Sequence, residues 1–161
     1  MSTTPTVGPM RPGEAEQVSY LFTKIVQALP YYNDIAKRSE IAKYAPEALR
    51  KSADEEPDSV LVARVADHIV GFCFSEIDDG LVWLAWFGVD PSFRRRGVGA
   101  QLLQKLEDTV RNGRSHKIWC DCRTENEASK IALSKHGYIQ LCTVHNHWYG
   151  QNFILWEKSV A

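Results

Sequence analysis

Apolar positions near the start of the chain recur at helical spacing. Val18, Leu21, Phe22, Ile25 and Leu29 share one face of a helix that Pro12-Gly13-Glu14 opens and Pro30 stops. A short extended segment near Thr6–Arg11 precedes it, and Tyr31-Tyr32-Asn33 forms the junction that follows. Ile35, Ile41, Ala45, Ala48 and Leu49 mark a second helical region. Pro46 divides it into two short helices, because proline is tolerated in a first helical turn and not in an interior. Asp54-Glu55-Glu56-Pro57-Asp58 reads as an acidic turn.

From Ser59 the period shortens. Val60–Val65 and Ile69–Phe74 form a hairpin about Ala66-Asp67-His68. After a turn at Asp78-Asp79-Gly80, Leu81–Val89 is apolar on both faces, as a central strand is. A helix from Gly97 carries Val98, Leu102, Leu103, Leu106 and Val110 on one face, with Gly113 at its C-terminal cap. Lys117–Arg123 is a strand. A helix runs from about Asn126 to Lys135, with Thr124 and Glu127 at capping-box spacing and Gly137 as its C-terminal cap. Strands Tyr138–His145 and Asn152–Val160 flank a turn at Trp148-Tyr149-Gly150. The pattern is that of one α/β (α+β) domain over residues 1–161, a mixed sheet with helices on both faces.

Composition narrows the class. With 161 residues, 44% hydrophobic and 24% charged, the chain has the make-up of a globular domain large enough to fold without staples. Nineteen basic against twenty acidic residues argue against a nucleic-acid partner. No apolar run is long enough to span a bilayer, and Met1–Thr6 lacks the basic-then-apolar pattern of an export signal. A cytoplasmic protein without membrane contact is therefore expected. Cys73, Cys120, Cys122 and Cys142 all sit in apolar stretches and read as reduced thiols packed in the core. Cys120, Cys122, His145 and His147 lack the turn-based spacing of a structural zinc site, so no metal is expected.

The chemistry concentrates at Phe87–Ala100. A buried strand runs into the turn Arg94-Arg95-Arg96-Gly97 and then directly into an amphipathic helix. The first N–H groups of a helix lack intrahelical partners, and its macrodipole makes that end positive. Gly97 and Gly99 clear side chains from the backbone, and three arginines add fork-shaped donors suited to phosphate. Such a turn is a pyrophosphate cradle. It is neither a Walker loop, since no Gly-Lys-Ser/Thr follows, nor a dinucleotide fingerprint, since the third glycine is missing.

In these residues the sequence resembles the GNAT superfamily of acetyl-CoA-dependent N-acetyltransferases. The family's Gln/Arg-x-x-Gly-x-Gly/Ala loop is matched by Arg94-x-x-Gly97-x-Gly99, with Val89-x-Pro91 before it. Its Asn-x-x-Ala…Gly-Phe pattern is approximated by Asn126…Ser129…Gly137-Tyr138. The likeness covers about Ser59 to Val160. Around Ile118–Arg123 it looks most like the ribosomal-protein N-terminal acetyltransferases. The resemblance implies a mostly antiparallel sheet with splayed central strands. It also implies that Phe87, Gly88 and Val89 present backbone to the pantetheine arm of acetyl-CoA. Arg94, Arg95, Arg96, Gly97, Val98, Gly99 and Ala100 would wrap the pyrophosphate, and Asn126 would bond the pantetheine. Three positions depart from the family: Leu133 stands where many members carry a tyrosine proton donor, Trp83 where histone-type members carry a glutamate base, and Ser129 where alanine is common.

Attack of a neutral amine on a thioester needs a group that takes the amine's proton. Asp121, an acid in an apolar strand, matches the carboxylate position of the N-terminal acetyltransferases, with pairing to Arg123 as its structural alternative. Alternation puts Trp119, Asp121 and Arg123 on one side of their strand. Glu76 is the second candidate base. Tyr149 is a candidate proton donor, with His147, Tyr31 and Tyr32 as walls of an acceptor pocket. The expected reaction is acetyl transfer from acetyl-CoA to a primary amine, of a small molecule or a peptide N-terminus, in a ternary complex. Two alternatives stand beside it, a non-catalytic acyl-CoA-binding module of the same fold and a nucleotide-binding protein of another class. A homodimer is left open.

Overall fold

The change of period at Ser59 separates a helical front from the sheet it covers. A computed structural model describes residues 4–160; Met1–Thr3, where the export-signal reading begins, and Ala161 lie outside the described residues. Strand β1 (Thr6–Pro9) leads through a 3-10 turn into helix α1 (Ala15–Ala28), followed by α2 (Asp34–Lys43) and α3 (Pro46–Glu55). Strands β2 (Val60–Val65), β3 (His68–Asp78) and β4 (Leu81–Val89) come next. They are followed by α4 (Val98–Asn112), β5 (Lys117–Arg123), α5 (Glu127–Lys135), β6 (Ile139–Val144) and β7 (Phe153–Ser159). The seven strands form one sheet in the order β1-β2-β3-β4-β5-β7-β6. Every neighbouring pair is antiparallel except β4 and β5.

Two cores sandwich the sheet. Val18, Leu21, Phe22 and Ile25 of α1 pack with Leu49 of α3 on Val60, Val62, Phe72 and Phe74. Leu102, Leu103 and Leu106 of α4 and Leu133 of α5 pack on Leu61, Cys73, Val82, Ile118 and Cys120 on the opposite face. Full burial of such a side chain contributes roughly 1.5–3 kcal/mol, so these two stripes hold the helices in place. Pro46 does open a separate helix, and Asn33 caps α2 by accepting the Ala36 N–H at 2.9 Å. Arg64 grips both carboxylate oxygens of Glu14 at 2.6 and 2.7 Å, fixing the start of α1 to β2.

Three readings of the sequence need correction here. The cap of α5 is Asn126, whose Oδ1 accepts the Ser129 N–H at 3.0 Å, while Thr124 bonds Glu125 instead of closing a capping box. Asp54 and Glu55 are still helical, so the acidic turn starts only at Glu56. Cys73, Cys120 and Cys122 are buried, but Cys142 is exposed, because β6 is an edge strand that no helix covers.

The feature that matters for function is where pairing stops. Strands β4 and β5 are in register only from Leu81↔Lys117 to Leu84↔Cys120. Beyond that point β4 stays on β3 while β5 stays on β7, so the two splay apart. Ala85–Val89 are consequently only half-buried although β4 sits mid-sheet.

Candidate active site

Three elements meet at the splay: the end of β4 with the turn after it, the end of β5, and the loops on the α1–α3 face. After Val89, Asp90 caps a 3-10 turn by accepting the Ser92 N–H, and the chain reaches α4 through Arg95 at φ 64° and Gly97 at φ 77°. A left-handed φ favours glycine, which accounts for Gly97. The first helical bond of α4 is Gln101 N–H to Gly97 C=O. The N–H groups of Val98, Gly99 and Ala100 precede it and have no carbonyl one turn back. A Cβ built on Gly97 would meet nothing within 4 Å, and one on Gly99 only Val89 Cγ2 at 3.7 Å. The backbone here is bare for an approaching group, not crowded by the protein. Gly88 differs: its Cβ would lie 2.7 Å from the Phe72 ring, so packing against β3 alone demands a glycine there.

The arginines of the turn are exposed, and Arg96 lies over the Phe93 ring at 5.1 Å. An exposed triple arginine, free helix N–H groups and bare glycines suit a pyrophosphate. The edge of β4 from Ala85 to Val89 faces no strand and offers backbone donors and acceptors to an amide-bearing arm such as pantetheine. The residues present therefore fit coenzyme A. Asn126, with its Oδ1 spent on the α5 cap, keeps only its amide N–H groups for a ligand.

Asp121 lies on β5 just past the last β4–β5 pair, on the face of Trp119 and under the loops. Its Oδ2 accepts the indole N–H of Trp148 at 2.8 Å. Burial raises its pKa to about 6, opposed by the Trp148 hydrogen bond and the nearby His147 and reinforced by Glu40. Arg123 is not its partner. That guanidinium donates to the carbonyls of Tyr31 and Asn152, both at 2.9 Å, and pairs with Glu125 at 3.1 Å. Among the described residues Asp121 has no ion-pair partner, and its one side-chain hydrogen bond is from Trp148.

The other expected residues divide. Tyr32 packs its ring between Trp86 of β4 (5.5 Å) and Phe153 of β7 (6.4 Å), bridging the splayed strands beside Asp121. Burial, more than the Asp121 charge, pushes its phenol pKa upward, so it stays protonated. The Tyr31 ring lies tilted against Tyr32, and the His147 ring lies tilted against Trp148 at 4.5 Å. Cys120 and Cys122 point into the α4 core, away from His147.

Two candidates do not join the group. Glu76 pairs with Trp83 across β3–β4, and Trp83 with Trp119 across β4–β5. It is therefore two strand spacings, roughly 10 Å, from the β5 backbone, and it is exposed. Tyr149 turns its hydroxyl to α2, donating to Glu40 at 2.7 Å and lying 3.0 Å from Ser39 Oγ and 3.2 Å from Lys43 Nζ. Its neighbour Trp148 is the one that reaches Asp121.

Trp148 and Glu40 carry no sequence signal for these roles. Glu40 joins Trp86 Nε1 (3.0 Å), Tyr149 and Lys43 (2.6 Å), yet in sequence it reads as an ordinary helical Glu–Lys pair.

A family model described as the acetyltransferase (GNAT) family matches residues 28–138, and the chain belongs to that family. The [ribosomal protein bS18]-alanine N-acetyltransferase of Salmonella typhimurium is 29% identical over 83 residues, 52% of this chain and 55% of that protein. An acetyltransferase of Pectobacterium atrosepticum is 31% identical over 80 residues, 50% of this chain and 57% of its own. The chain thus matches these curated relatives over about half their length. A PaiA N-acetyltransferase from Thermoplasma acidophilum, solved in complex with coenzyme A, shares the fold. Its TM-score is 0.81 at 19% identity, over 97% of this chain and 99% of that one. No helix among the described residues is long and apolar enough to cross a membrane.

Proposed function

We propose that the protein transfers an acetyl group from acetyl-CoA to a primary amine, with Asp121 as general base. The observation that carries this reading is the half-buried carboxylate of Asp121, without an ion-pair partner among the described residues, beside the opening between β4 and β5 and across from the bare N-terminus of α4. The pyrophosphate would lie on the N–H groups of Val98, Gly99 and Ala100 with Arg94–Arg96 around it. The pantetheine arm would run along Phe87–Val89 into the gap, with the Asn126 amide within its course. Acetyl-CoA supplies an activated acyl group when bound.

Asp121 with a pKa near 6 is ionised at neutral pH and can accept the amine's proton as its nitrogen turns to the thioester. The freed amine nitrogen attacks the thioester carbon, a C–N bond forms, the C–S bond breaks, and the CoA thiolate leaves needing a proton. Leu133 is buried and cannot supply it. Tyr32 takes that role in this reading. Its phenol is held neutral beside the gap, and its hydroxyl has no hydrogen-bond partner among the described residues.

The test is release of free thiol from acetyl-CoA with a panel of primary amines. Amine-dependent release that is lost in Asp121→Asn is expected. Tight CoA binding with no release across the panel would instead favour an acyl-CoA-binding module.

A further inference from the structure

The acceptor side of the site is closed in one direction and open in another. Between α1 and α2, Tyr31 and Asn33 are tied to the turn before β7. Gln151 Nε2 donates to the Tyr31 carbonyl at 2.8 Å, the Asn33 N–H to Gln151 Oε1 at 3.3 Å, and Asn33 Nδ2 to the Tyr149 carbonyl at 3.0 Å. The Tyr149–Glu40 bond adds a fourth tie, to α2. Both loops border Asp121, through Tyr32 on one side and Trp148 on the other. An extended chain laid between them would have to break this set of bonds.

The open direction is the sheet itself. Helices α1 and α3 cover β2, β3 and the end of β4, leaving the same face at the start of β4 and around Trp119 of β5 without a helix over it. There the half-buried rings of Trp83 and Trp119 meet edge to face at 4.8 Å. Trp119 and Asp121 are two residues apart on one face, roughly 7 Å along the strand. Trp148, 51% exposed, lies against Asp121 itself. Its N–H occupies Oδ2 of Asp121, and Oδ1 has no hydrogen bond among the described residues. Three indoles around one half-free carboxylate suit an ammonium attached to an apolar body. The carboxylate takes the charge, and the ring faces take both the cation and the hydrocarbon. Lys117 is paired with Glu157, and Glu76 adds a negative charge at the edge of this patch.

We propose that the acceptor is a small primary amine with an apolar, preferably aromatic, body, which lies on Trp83 and Trp119 with its ammonium at Asp121 Oδ1, and is not a peptide N-terminus. This rests on the acetyltransferase reading above. A separation of about two strand residues between the rings and the carboxylate matches an amine a few bonds away from a ring.

The experiment measures thiol release by the full chain from acetyl-CoA with phenylethylamine, with ethylamine and with a short peptide bearing a free N-terminus. Phenylethylamine should exceed both others by about tenfold or more in kcat/KM. Trp83→Ala and Trp119→Ala should raise its KM by a similar factor and leave the KM for acetyl-CoA unchanged. Trp83→Leu, which preserves apolar packing, serves if the alanine variants do not fold. A peptide acetylated as well as phenylethylamine, or an amine KM unmoved by loss of the indoles, would overturn the proposal while leaving the acetyltransferase reading intact. Coenzyme A binding with no release for any of the three would overturn both.

Discussion

Trp148 donates its indole N–H to Asp121 at 2.8 Å, joining the turn before β7 to the end of β5 across 27 positions of sequence. This bond favours the ionised carboxylate, whereas burial favours the neutral acid and is the larger effect. The balance leaves Asp121 at about 6, where a base is both ionised at neutral pH and able to hold a proton. The turn that supplies Trp148 is itself pinned to α2 through Tyr149 and Glu40, so the acidity of Asp121 depends on the closure of the loops.

Trp148→Phe keeps the ring and removes the donor. The ionised form loses a hydrogen bond, so the Asp121 pKa rises further. The acid limb of the kcat/KM profile, expected near pH 6 in the parent protein, should then move to higher pH. An unmoved limb would mean that a group other than Asp121 titrates there.

Tyr32→Phe and Tyr149→Phe separate a proton donor from a loop tie. Loss of the Tyr32 hydroxyl should lower kcat by about 10²-fold with acetyl-CoA. It should cost far less with an acetyl thioester whose leaving thiol is acidic enough to depart unprotonated. Tyr149→Phe should act through the loops and reduce turnover equally with both thioesters. Equal losses for Tyr32→Phe with the two thioesters would remove Tyr32 from the proton-donor role.

Gly99→Asp puts a carboxylate into the open space before the first N–H groups of α4. The space accommodates a Cβ, so the fold should survive. Repulsion of the pyrophosphate should weaken coenzyme A binding at least tenfold, about 1.4 kcal/mol. Calorimetry on the folded variant checks this, and unchanged affinity would move the pyrophosphate elsewhere.

What could be read from the sequence follows from the range of the interactions involved. The cradle after β4 is local: strand, turn, glycines and helix are contiguous, so Arg94–Ala100 announces its own geometry. The face of Asp121 followed from alternation along β5. The surroundings of Asp121 did not, because they come from chain as distant as α2 and the turn before β7. Arg123 looked like the natural partner of Asp121, two residues away on the same face. Its guanidinium is instead taken by the carbonyl of Tyr31, 92 positions earlier, and by that of Asn152. Tyr149 and Trp148 are adjacent and equally plausible as site residues. A left-handed φ of 57° at Tyr149 sends the two side chains to different partners, and no spacing rule forecasts that.

Asp121→Asn should separate activity from stability. A carboxylate whose pKa is about 6 in the folded chain, against an ordinary 3.8, binds its proton more tightly when folded. Below pH 3.8 it is neutral in both states and costs nothing. As pH rises towards 6 the unfolded state ionises first, and the fold loses stability until the folded group has ionised as well. Above that window the cost is constant, at most about 3 kcal/mol for a shift of this size. Asparagine has the same shape, still accepts the Trp148 N–H and does not titrate. The variant should therefore match the parent near pH 3.5 and exceed it at pH 7.5, by about 5 °C in Tm for a chain of this length. At the same pH kcat/KM should fall by about 10²-fold or more, and the deficit should shrink as pH approaches the pKa of the amine, since a neutral acceptor needs no base. Thermal melts at the two pH values, beside a pH–rate profile, test both halves. A variant less stable than the parent at pH 7.5 that keeps full turnover would make Asp121 a structural carboxylate.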